Sequence, residues 1–388
     1  LNPDQGLAPI QQALVDAGAP QCGFCFPGIV VSLAGFFLNS QDLSAADAAT
    51  ALDGNICRCT GYASIRRAID ALCDGQATRL DPACDRVEQL VAWGVLPAHF
   101  ADAPARLAAM GPPEPEVAPG EGLLLAGGTD LLIQQPDLLE LEDLDYVSRR
   151  RGLAGITREL DHVALGAHTT IEDLKHDPAF RALVPAAPAI IDRFASTIIR
   201  NRATVAGNLV NASPIGDVTV LLLALGCDLV LTRDGRRRTL PLGEFYQGYK
   251  QLARQPGEVI EMVRVPATVA DGRVSFEKIS QRRFLDIASV NSAAWARLAD
   301  DGTAVAFRLA VGGVAPVPLL ARRTGAFLGG RTLDAATLHE AAAVLDQEIA
   351  PIDDVRGSAA YKRELARRTL FAHALRLAPD QVRLEELA

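Results

Sequence analysis

The sequence predicts a multidomain α+β protein, in which an all-α domain of four helices is followed by two α+β domains. The length of 388 residues exceeds what one hydrophobic core usually organises. Apolar residues recur at helical spacing near the start of the chain, whereas strands, glycine turns and helices alternate further on. We place the domains at residues 1–78, 116–272 and 273–380, with a proline-rich linker at residues 79–115.

The composition argues against two classes of partner. A hydrophobic content of 49% and a charged content of 22% indicate a folded globular protein. The formal net charge of −9 argues against a nucleic-acid surface, which needs clustered Lys and Arg. The one basic run, residues 233–238, is predicted to be a turn between strands. The longest apolar stretches, residues 28–38 and 218–227, reach about half of the ~20 residues that a spanning helix needs, so no membrane partner is expected.

The cysteine content and the start of the chain favour a cytoplasmic protein. Seven cysteines is an odd number, and four of them stand in two pairs that are too close in sequence for ordinary disulfides. No basic segment followed by a signal-type apolar stretch is seen at the start. Because the chain opens at Leu1 rather than Met and soon enters a helical pattern, we expect further sequence upstream.

The first domain is predicted to contain four helices, at residues 9–17, 27–39, 44–52 and 63–73. The second helix is apolar nearly all round and is therefore expected to be buried. In the third, Ser44 is the expected N-cap and Asp47 follows three residues later, which is close to a capping box. Seven prolines between residues 82 and 119 then predict an irregular linker.

The second and third domains are predicted from shorter segments. In the second domain a strand, a glycine turn and a helix are expected at residues 123–126, 127–130 and 131–139, with later strands at 162–165 and 228–232. In the third domain strands are expected at residues 274–279 and 303–311, and helices at 335–347 and 358–376. This order is typical of α+β domains.

Two tight pairs, Cys22 with Cys25 and Cys57 with Cys59, are the clearest chemical signal in the chain. Four thiolates can hold two bridged irons or one tetrahedral zinc. The spacing favours an iron–sulfur cluster over zinc because C-x-C is an uncommon zinc spacing. A redox dithiol is the weakest alternative, since it leaves the second pair unexplained. Both pairs precede predicted helix N-termini, whose free N–H groups suit an anionic cluster. The three lone cysteines are predicted to be small buried hydrophobic residues or inert thiols, namely Cys73, Cys84 and Cys227.

Two polar loops are candidate cofactor segments. The glycine turn at residues 127–130 could close its backbone N–H groups on a phosphate, with Thr129 adding a hydroxyl, although glycine turns are also common without a ligand. Residues 204–217 combine amide, hydroxyl and acidic groups beside an apolar run, and could equally be a turn-rich loop between strands. From the local sequence alone, Phe194 is predicted to be a core residue and Lys278 an exposed lysine on a strand.

The cysteine segments, residues 21–28 and 54–62, resemble the helical [2Fe–2S] domain of the xanthine oxidase family of molybdenum hydroxylases. This resemblance implies that the four paired cysteines ligate one [2Fe–2S] cluster. The family usually has Thr at the position of Phe26, which lies beside the expected ligands.

The two polar loops resemble the FAD domain of the same family, an α+β fold of the vanillyl-alcohol oxidase (PCMH) type. The resemblance implies that the first loop wraps the FAD pyrophosphate, through Leu124, Leu125, Ala126, Gly127, Gly128, Thr129, Asp130 and Leu131. It implies that Thr204, Gly207, Asn208 and Asp217 form a second cofactor loop, where the family usually has Gly in place of Ala206. It also implies that Phe194 stacks near the flavin, Ile260 lines its pocket and Lys278 lies near its electron-accepting end.

The segments at residues 312–316 and 354–361 resemble the flavoprotein C-terminal domain of these enzymes, of the CO dehydrogenase type. Together the resemblances imply an electron-transfer subunit with no residue that hydroxylates substrate. The implied partner is a molybdopterin-binding large subunit that oxidises hypoxanthine and xanthine to urate, in a heterotetramer of two copies of each chain. Electrons would pass through [2Fe–2S] to FAD and on to NAD⁺.

Two sequence features bear on the electron acceptor and on the domain content. The family often has an acid at Phe284 or Leu285, which bears on the approach of NAD⁺. The ferredoxin-type domain of the family would precede Leu1. Two alternatives remain, namely the same role in an aldehyde or other N-heterocycle hydroxylase, and a zinc-stapled scaffold without flavin.

Overall fold

A computed structural model describes residues 1, 6–111, 122–150 and 152–387 of the chain. It contains two compact units, Leu1–Pro115 and Glu116–Ala388. Each unit has its own hydrophobic core, and each is described by itself.

The first unit is helical over its described residues. Its helices are α1 (Pro9–Asp16), α2 (Phe26–Asn39), α3 (Ala45–Thr50), α4 (Ala63–Asp74), α5 (Arg86–Trp93) and α6 (Ala103–Ala109). The first four lie within two residues of their predicted bounds. Ser44 caps α3 by accepting a hydrogen bond from the Asp47 amide, as predicted. Leu33 and Phe37 of α2 are fully buried in the core of this unit.

The predicted linker differs from the structure. Helices α5 and α6 lie inside it, and Leu90, Val95 and Leu96 belong to the core of the first unit. The prolines were wrongly interpreted as a sign of irregular structure. Pro104 occupies the first turn of α6, where no backbone N–H is needed, so it is compatible with a helix. Residues 112–121, with four of the linker prolines and the predicted boundary at residue 116, lie outside the described residues.

The second unit contains thirteen strands and eleven α-helices among its described residues. The first part comprises β1 (Leu123–Leu125), α7 (Leu131–Gln134), α8 (Pro136–Leu141), β2 (Leu144–Tyr146), β3 (Ile156–Arg158), β4 (His162–Gly166), α9 (Ile171–His176), α10 (Pro178–Leu183), α11 (Ala187–Ile191), α12 (Thr197–Arg200), α13 (Val205–Asn211), α14 (Asp217–Leu225), β5 (Asp228–Arg233), β6 (Arg236–Pro241), β7 (Tyr246–Gly248), β8 (Gln251–Leu252) and β9 (Val259–Pro266). The second part comprises β10 (Arg273–Ile279), β11 (Val290–Leu298), β12 (Ala304–Gly312), β13 (Leu319–Leu320), α15 (Arg322–Leu328), α16 (Ala335–Glu348) and α17 (Ala359–Leu377).

Two antiparallel sheets organise this unit. The first has the strand order β3-β4-β9-β5-β6, and the second has the order β10-β11-β12-β13. The predicted helix at residues 131–139 is instead two short helices, because Pro136 begins α8 and Gln135 between them is not helical. The basic run forms the β5–β6 turn, as predicted, with Asp234 and Gly235 at its tip.

Helix α14 joins the two α+β segments into one core. It packs against β11 and β12 of the second sheet and also contacts β9 of the first. All its residues except Asp217 at its first position are buried. The Arg308 guanidinium donates to the Ala224 carbonyl at 2.8 Å and the Leu225 carbonyl at 3.0 Å. It also lies 3.9 Å from the Trp295 ring centroid. A cation therefore caps the carboxyl end of α14, which fixes the helix that carries Asp217.

Strand β11 is buried on both faces. Trp295 belongs to the core shared with the first sheet, whereas the neighbouring Ala294 and Ala296 belong to the core formed with α16 and α17. The described part of the second unit is thus built in layers, with α14 on one face of the second sheet and α15 and α17 on the other. Among the described residues, no helix is both long and apolar enough to span a bilayer.

Burial of His373 is expected to make the second unit less stable in acid. Its imidazole lies between the hydroxyls of Ser275, at 2.9 Å, and Ser292, at 2.8 Å. Complete burial, and next the charge of Arg376, lower the pKa of His373 to about 3. Below the ordinary pKa near 6.5 the unfolded chain binds a proton that the folded chain does not, so stability falls with pH from about 6.5 towards 3.

This single group should contribute a loss of about 2 kcal/mol between pH 7 and pH 5. The difference in urea midpoint between wild type and His373→Gln, followed across this range, isolates the contribution. A difference that does not change with pH would contradict a neutral, buried imidazole.

Candidate cofactor sites

The four paired cysteines lie together in the first unit. Cys25 is the N-cap of α2, and the second pair comes just before α4, which begins after the left-handed Gly61 and Tyr62. The Sγ atoms of Cys22 and Cys59 are 3.7 Å apart. The two remaining thiols, of Cys25 and Cys57, also interact. Each thiol is therefore paired with one from the other sequence segment.

The local hydrogen bonds distinguish the two inner thiols. The Thr60 hydroxyl lies 3.2 Å from the Cys57 sulfur, and this contact lowers the pKa of Cys57 to about 7. Burial, and next the neighbouring Cys57, raise the pKa of Cys25 to about 11. The Cys57 amide donates to the Tyr62 hydroxyl at 2.9 Å, which ties the cysteine loop to the start of α4. A metal requires thiolates, and Thr60 supplies a donor that stabilises one.

The sulfur arrangement fits a two-iron cluster, in which each iron takes two protein sulfurs. The four thiols form two direct contacts, Cys22 with Cys59 and Cys25 with Cys57.

Replacing Cys57 by Ser is expected to remove the cluster. A serine hydroxyl does not supply the thiolate that iron–sulfur ligation uses, so the EPR signal of the reduced cluster and about two irons per chain should be lost. The matched control is Cys84→Ser, because Cys84 is an exposed lone cysteine that contacts Asp81. An unchanged EPR signal in Cys57→Ser would exclude Cys57 as a ligand.

One large cavity, of about 2030 Å³, lies in the second unit. Of the fifteen predicted cofactor residues in this unit, all but Leu125 line it; the fourteen are Leu124, Ala126, Gly127, Gly128, Thr129, Asp130, Leu131, Phe194, Thr204, Gly207, Asn208, Asp217, Ile260 and Lys278. Leu125 ends β1 and packs beneath the glycine turn. The structure thus brings together two sequence segments, residues 124–131 and 204–217, and three single positions, Phe194, Ile260 and Lys278, which are far apart in the chain.

At Gly127 the glycine turn approaches another backbone segment so closely that a side chain does not fit there. A Cβ atom on Gly127 would lie 1.8 Å from the Arg202 carbonyl oxygen. Gly128 has a φ of +72°, in the left-handed region that glycine adopts without strain. At these two glycines the backbone therefore lines the cavity without a side chain, which suits phosphate binding by N–H groups.

The second predicted cofactor segment contains the whole of helix α13, a short connection at residues 212–216 and the first residue of α14. Thr204 caps α13 by accepting a hydrogen bond from the Gly207 amide at 3.1 Å. The Asn208 side chain accepts from the Thr219 hydroxyl of α14 at 3.1 Å. Ala206 lies within α13, so the alanine at this position strains no turn. The interpretation as a turn-rich loop was wrong because Thr204 is a strong helix start signal followed by an apolar pattern.

Lys278 is buried and ion-paired, so the interpretation as an exposed strand lysine was wrong. Its side chain is 2% exposed, and its Nζ lies 2.7 Å from Asp217 Oδ2. The same Nζ donates to the Arg193 carbonyl at 2.9 Å. Asn291, which is opposite Lys278 on β11, donates to the other oxygen of Asp217 at 2.6 Å. The cavity wall thus contains a fixed ion pair at the start of α14.

The sequence interpretation missed polar residues on other parts of the cavity wall, namely Arg150, Lys250, Arg254, Glu258, Arg356 and Lys362. Lys362 is buried at the start of α17 and pairs with Asp354 at 2.7 Å. Glu258 is held by the Arg238 guanidinium, which lowers its pKa to about 2. The basic run that includes Arg238 could have suggested this pairing, because closely spaced arginines on a strand favour acidic partners on neighbouring segments.

The cavity fits FAD in its chemistry. The side-chain-free glycine turn suits a pyrophosphate, the aromatic ring of Phe194 suits a planar ring system, and a buried Lys278 suits a group that becomes anionic when reduced. When bound, FAD would accept electrons singly and release them as a hydride.

Three family models match the chain. The model for a [2Fe-2S] binding domain matches residues 1–70, that for the FAD binding domain in molybdopterin dehydrogenase matches residues 98–268, and that for the CO dehydrogenase flavoprotein C-terminal domain matches residues 275–377. The carbon monoxide dehydrogenase medium chain of Afipia carboxidovorans is 30% identical, over 70% of this chain and 91% of the relative. The chain belongs to the molybdenum hydroxylase family. The order of the three matches confirms the predicted fold class.

Other molybdenum hydroxylases are also similar. The xanthine dehydrogenase of Emericella nidulans is 28% identical over 92% of this chain and 31% of its own length, so the chain spans about a third of that relative. A crystal structure of a Cu,Mo-CO dehydrogenase superposes with a TM-score of 0.62 at 30% identity, covering 66% of this chain and 90% of the other. Quinoline 2-oxidoreductase from Pseudomonas putida 86 gives a TM-score of 0.60 at 26% identity, covering 68% and 90%. This molybdenum hydroxylase chain therefore carries the family's [2Fe–2S]- and FAD-binding domains.

Proposed function

We propose that this chain is the electron-transfer subunit of a xanthine dehydrogenase. It receives electrons from a molybdopterin-binding partner subunit that oxidises hypoxanthine and xanthine to urate. The electrons pass through the [2Fe–2S] cluster to FAD and on to NAD⁺. The observation that carries this proposal is that one chain contains two sites. One is the site of four paired thiols, and the other is the cavity lined by the glycine turn and the buried Lys278. The similarity to xanthine dehydrogenases over 92% of the chain supports the choice of substrate.

Each role falls to particular residues of this chain. The four thiols Cys22, Cys25, Cys57 and Cys59 hold the cluster. The backbone at Gly127 and Gly128 binds the FAD pyrophosphate, and the ring of Phe194 orients the flavin. The Lys278–Asp217 pair places a positive charge at the cavity wall. The assembly proposed is a cytoplasmic heterotetramer with two copies of each subunit.

A second candidate is the same electron-transfer role in a hydroxylase for another substrate, such as an aldehyde or a different N-heterocycle. It is favoured by the 91% coverage of the carbon monoxide dehydrogenase medium chain and by the similarity to quinoline 2-oxidoreductase. In both candidates the residues of this chain do the same work, because the substrate pocket belongs to the partner.

Anaerobic reduction of the purified complex tests the proposed function. Xanthine should bleach the flavin absorption near ~450 nm, and NAD⁺ should restore it. Bleaching by an aldehyde or another N-heterocycle but not by xanthine would favour the second candidate. Bleaching by xanthine that NAD⁺ does not reverse would exclude NAD⁺ as the acceptor, while the proposed role in electron transfer would stand.

A further inference from the structure

We propose that Arg200 is a positioning residue for FAD, which acts by holding the backbone of Phe194 so that its ring faces the flavin. The inference rests on the proposed function, since it assumes that FAD occupies the cavity lined by Phe194. Arg200 itself is not among the residues that line the cavity. Its effect on the cofactor must therefore pass through its neighbours.

Two buried cations hold consecutive carbonyl groups beside the Phe194 ring. Arg200 Nη1 donates to the Phe194 carbonyl at 2.9 Å. Lys278 Nζ donates to the Arg193 carbonyl at 2.9 Å, and the Arg193 guanidinium donates in return to the Lys278 carbonyl. The two cations come from α12 and β10, so the segment is held from two separate elements. Charge-assisted hydrogen bonds of this kind are among the strongest that proteins form.

The backbone after Phe194 needs such support. Ala195 has a φ of +45°, in the left-handed region that an alanine rarely adopts. Strained backbone conformations of this type persist where several surrounding contacts hold them in place, and they cluster at ligand sites. Helix α12 begins two residues later, with Ser196 as its N-cap, and its last residue is Arg200. The guanidinium at the end of this short helix therefore contacts the strained segment that precedes the helix.

The surroundings of Arg200 leave it little freedom to move. Its side chain is 1% exposed. Its Nε donates to Glu172 Oε2 on α9, and its Nη2 donates to the Thr197 hydroxyl at 2.8 Å. Burying an ion pair carries a desolvation cost that apolar packing would avoid. A planar guanidinium that donates in three fixed directions links α9, α12 and the Phe194 carbonyl, which a lysine could not do.

The test compares FAD binding by the full chain in wild type, Arg200→Lys and Thr197→Val, each alone and combined with Phe194→Leu. Arg200→Lys keeps the charge opposite Glu172, and Thr197→Val removes only the hydroxyl that orients the guanidinium. We expect Arg200→Lys to raise the FAD dissociation constant roughly tenfold and to shift the flavin absorption band. Thr197→Val should produce a smaller change in the same direction. In the Phe194→Leu background both effects should disappear, because the ring through which they act is absent.

The outcomes separate positioning from a structural role. If Arg200→Lys lowers the urea midpoint but leaves the FAD dissociation constant and spectrum unchanged, the inference is wrong. It is also wrong if the tenfold loss persists in the Phe194→Leu background. Should Arg200→Lys fail to fold, Thr197→Val and its combination with Phe194→Leu decide the question alone. A wild-type chain that binds no FAD would remove the proposed function itself, and the inference with it.

Discussion

Replacing Lys278 by Met is expected to lower the free energy of unfolding of the second unit by about 3 kcal/mol and to abolish stable FAD binding. The substitution leaves the Asp217 carboxylate, which is 13% exposed, without its cation. It also leaves the Arg193 carbonyl without its donor beside the Phe194 ring. Leaving a charge unpaired at a buried position lowers the free energy of unfolding by far more than an exposed ion pair raises it. Urea unfolding and FAD titration measure the two effects.

The double variant Asp217→Asn with Lys278→Met distinguishes charge from packing. Asparagine can still accept from Asn291, and no charge is left unpaired, so about half of the lost stability should return while FAD binding should not. The matched control is Arg363→Met, which breaks an ion pair of similar length, 2.6 Å, whose partners are 41% and 60% exposed. This control should cost less than about 1 kcal/mol. Equal losses in Lys278→Met and Arg363→Met would contradict the importance given to the buried pair.

Replacing Gly127 by Ala is expected to raise the FAD dissociation constant on the order of a hundredfold. The added Cβ would lie 1.8 Å from the Arg202 carbonyl, and backbone on either side must move to relieve the clash. Such a movement displaces the N–H groups that are proposed to bind the pyrophosphate. Isothermal titration of the FAD-free chain with FAD measures the change.

Gly329→Ala is the control for Gly127→Ala, since the same atom is added in the same unit. Gly329 has a φ of −60°, and a Cβ there would be no closer than 3.5 Å to its neighbours. FAD binding by this variant should match wild type. Unimpaired FAD binding by Gly127→Ala would show that the glycine turn does not bind the pyrophosphate.

The sequence was sufficient for elements with strong local signals. Helices α2 and α17 were predicted within one residue at each end, because α2 is a long apolar run with Pro27 in its first turn and α17 follows the N-cap Ser358 with a run free of Gly and Pro. The predicted cofactor residues from 124 to 131 and from 204 to 217 all lie in the second unit, and all but Leu125 line one cavity. Motif resemblance supplied these residues, since periodicity alone marks them only as turns.

Other features depend on tertiary context that local patterns do not contain. Strand β11 was not predicted because both its faces are buried, so its side chains show no alternation of polar and apolar types. Helix α5 was overlooked because nearby prolines were interpreted as a linker, although Leu90 is fully buried in the first core. The proposed role of Arg200 had no sequence signal, since an arginine after Ile199 is typical of an exposed helix end.

The metal and flavin content of the purified wild-type chain, determined with its visible spectrum, tests the central claim most directly. The account predicts about two irons and one FAD per chain, with flavin bands near ~450 nm over the broad absorption of an iron–sulfur cluster. A colourless chain containing zinc and no flavin would contradict it.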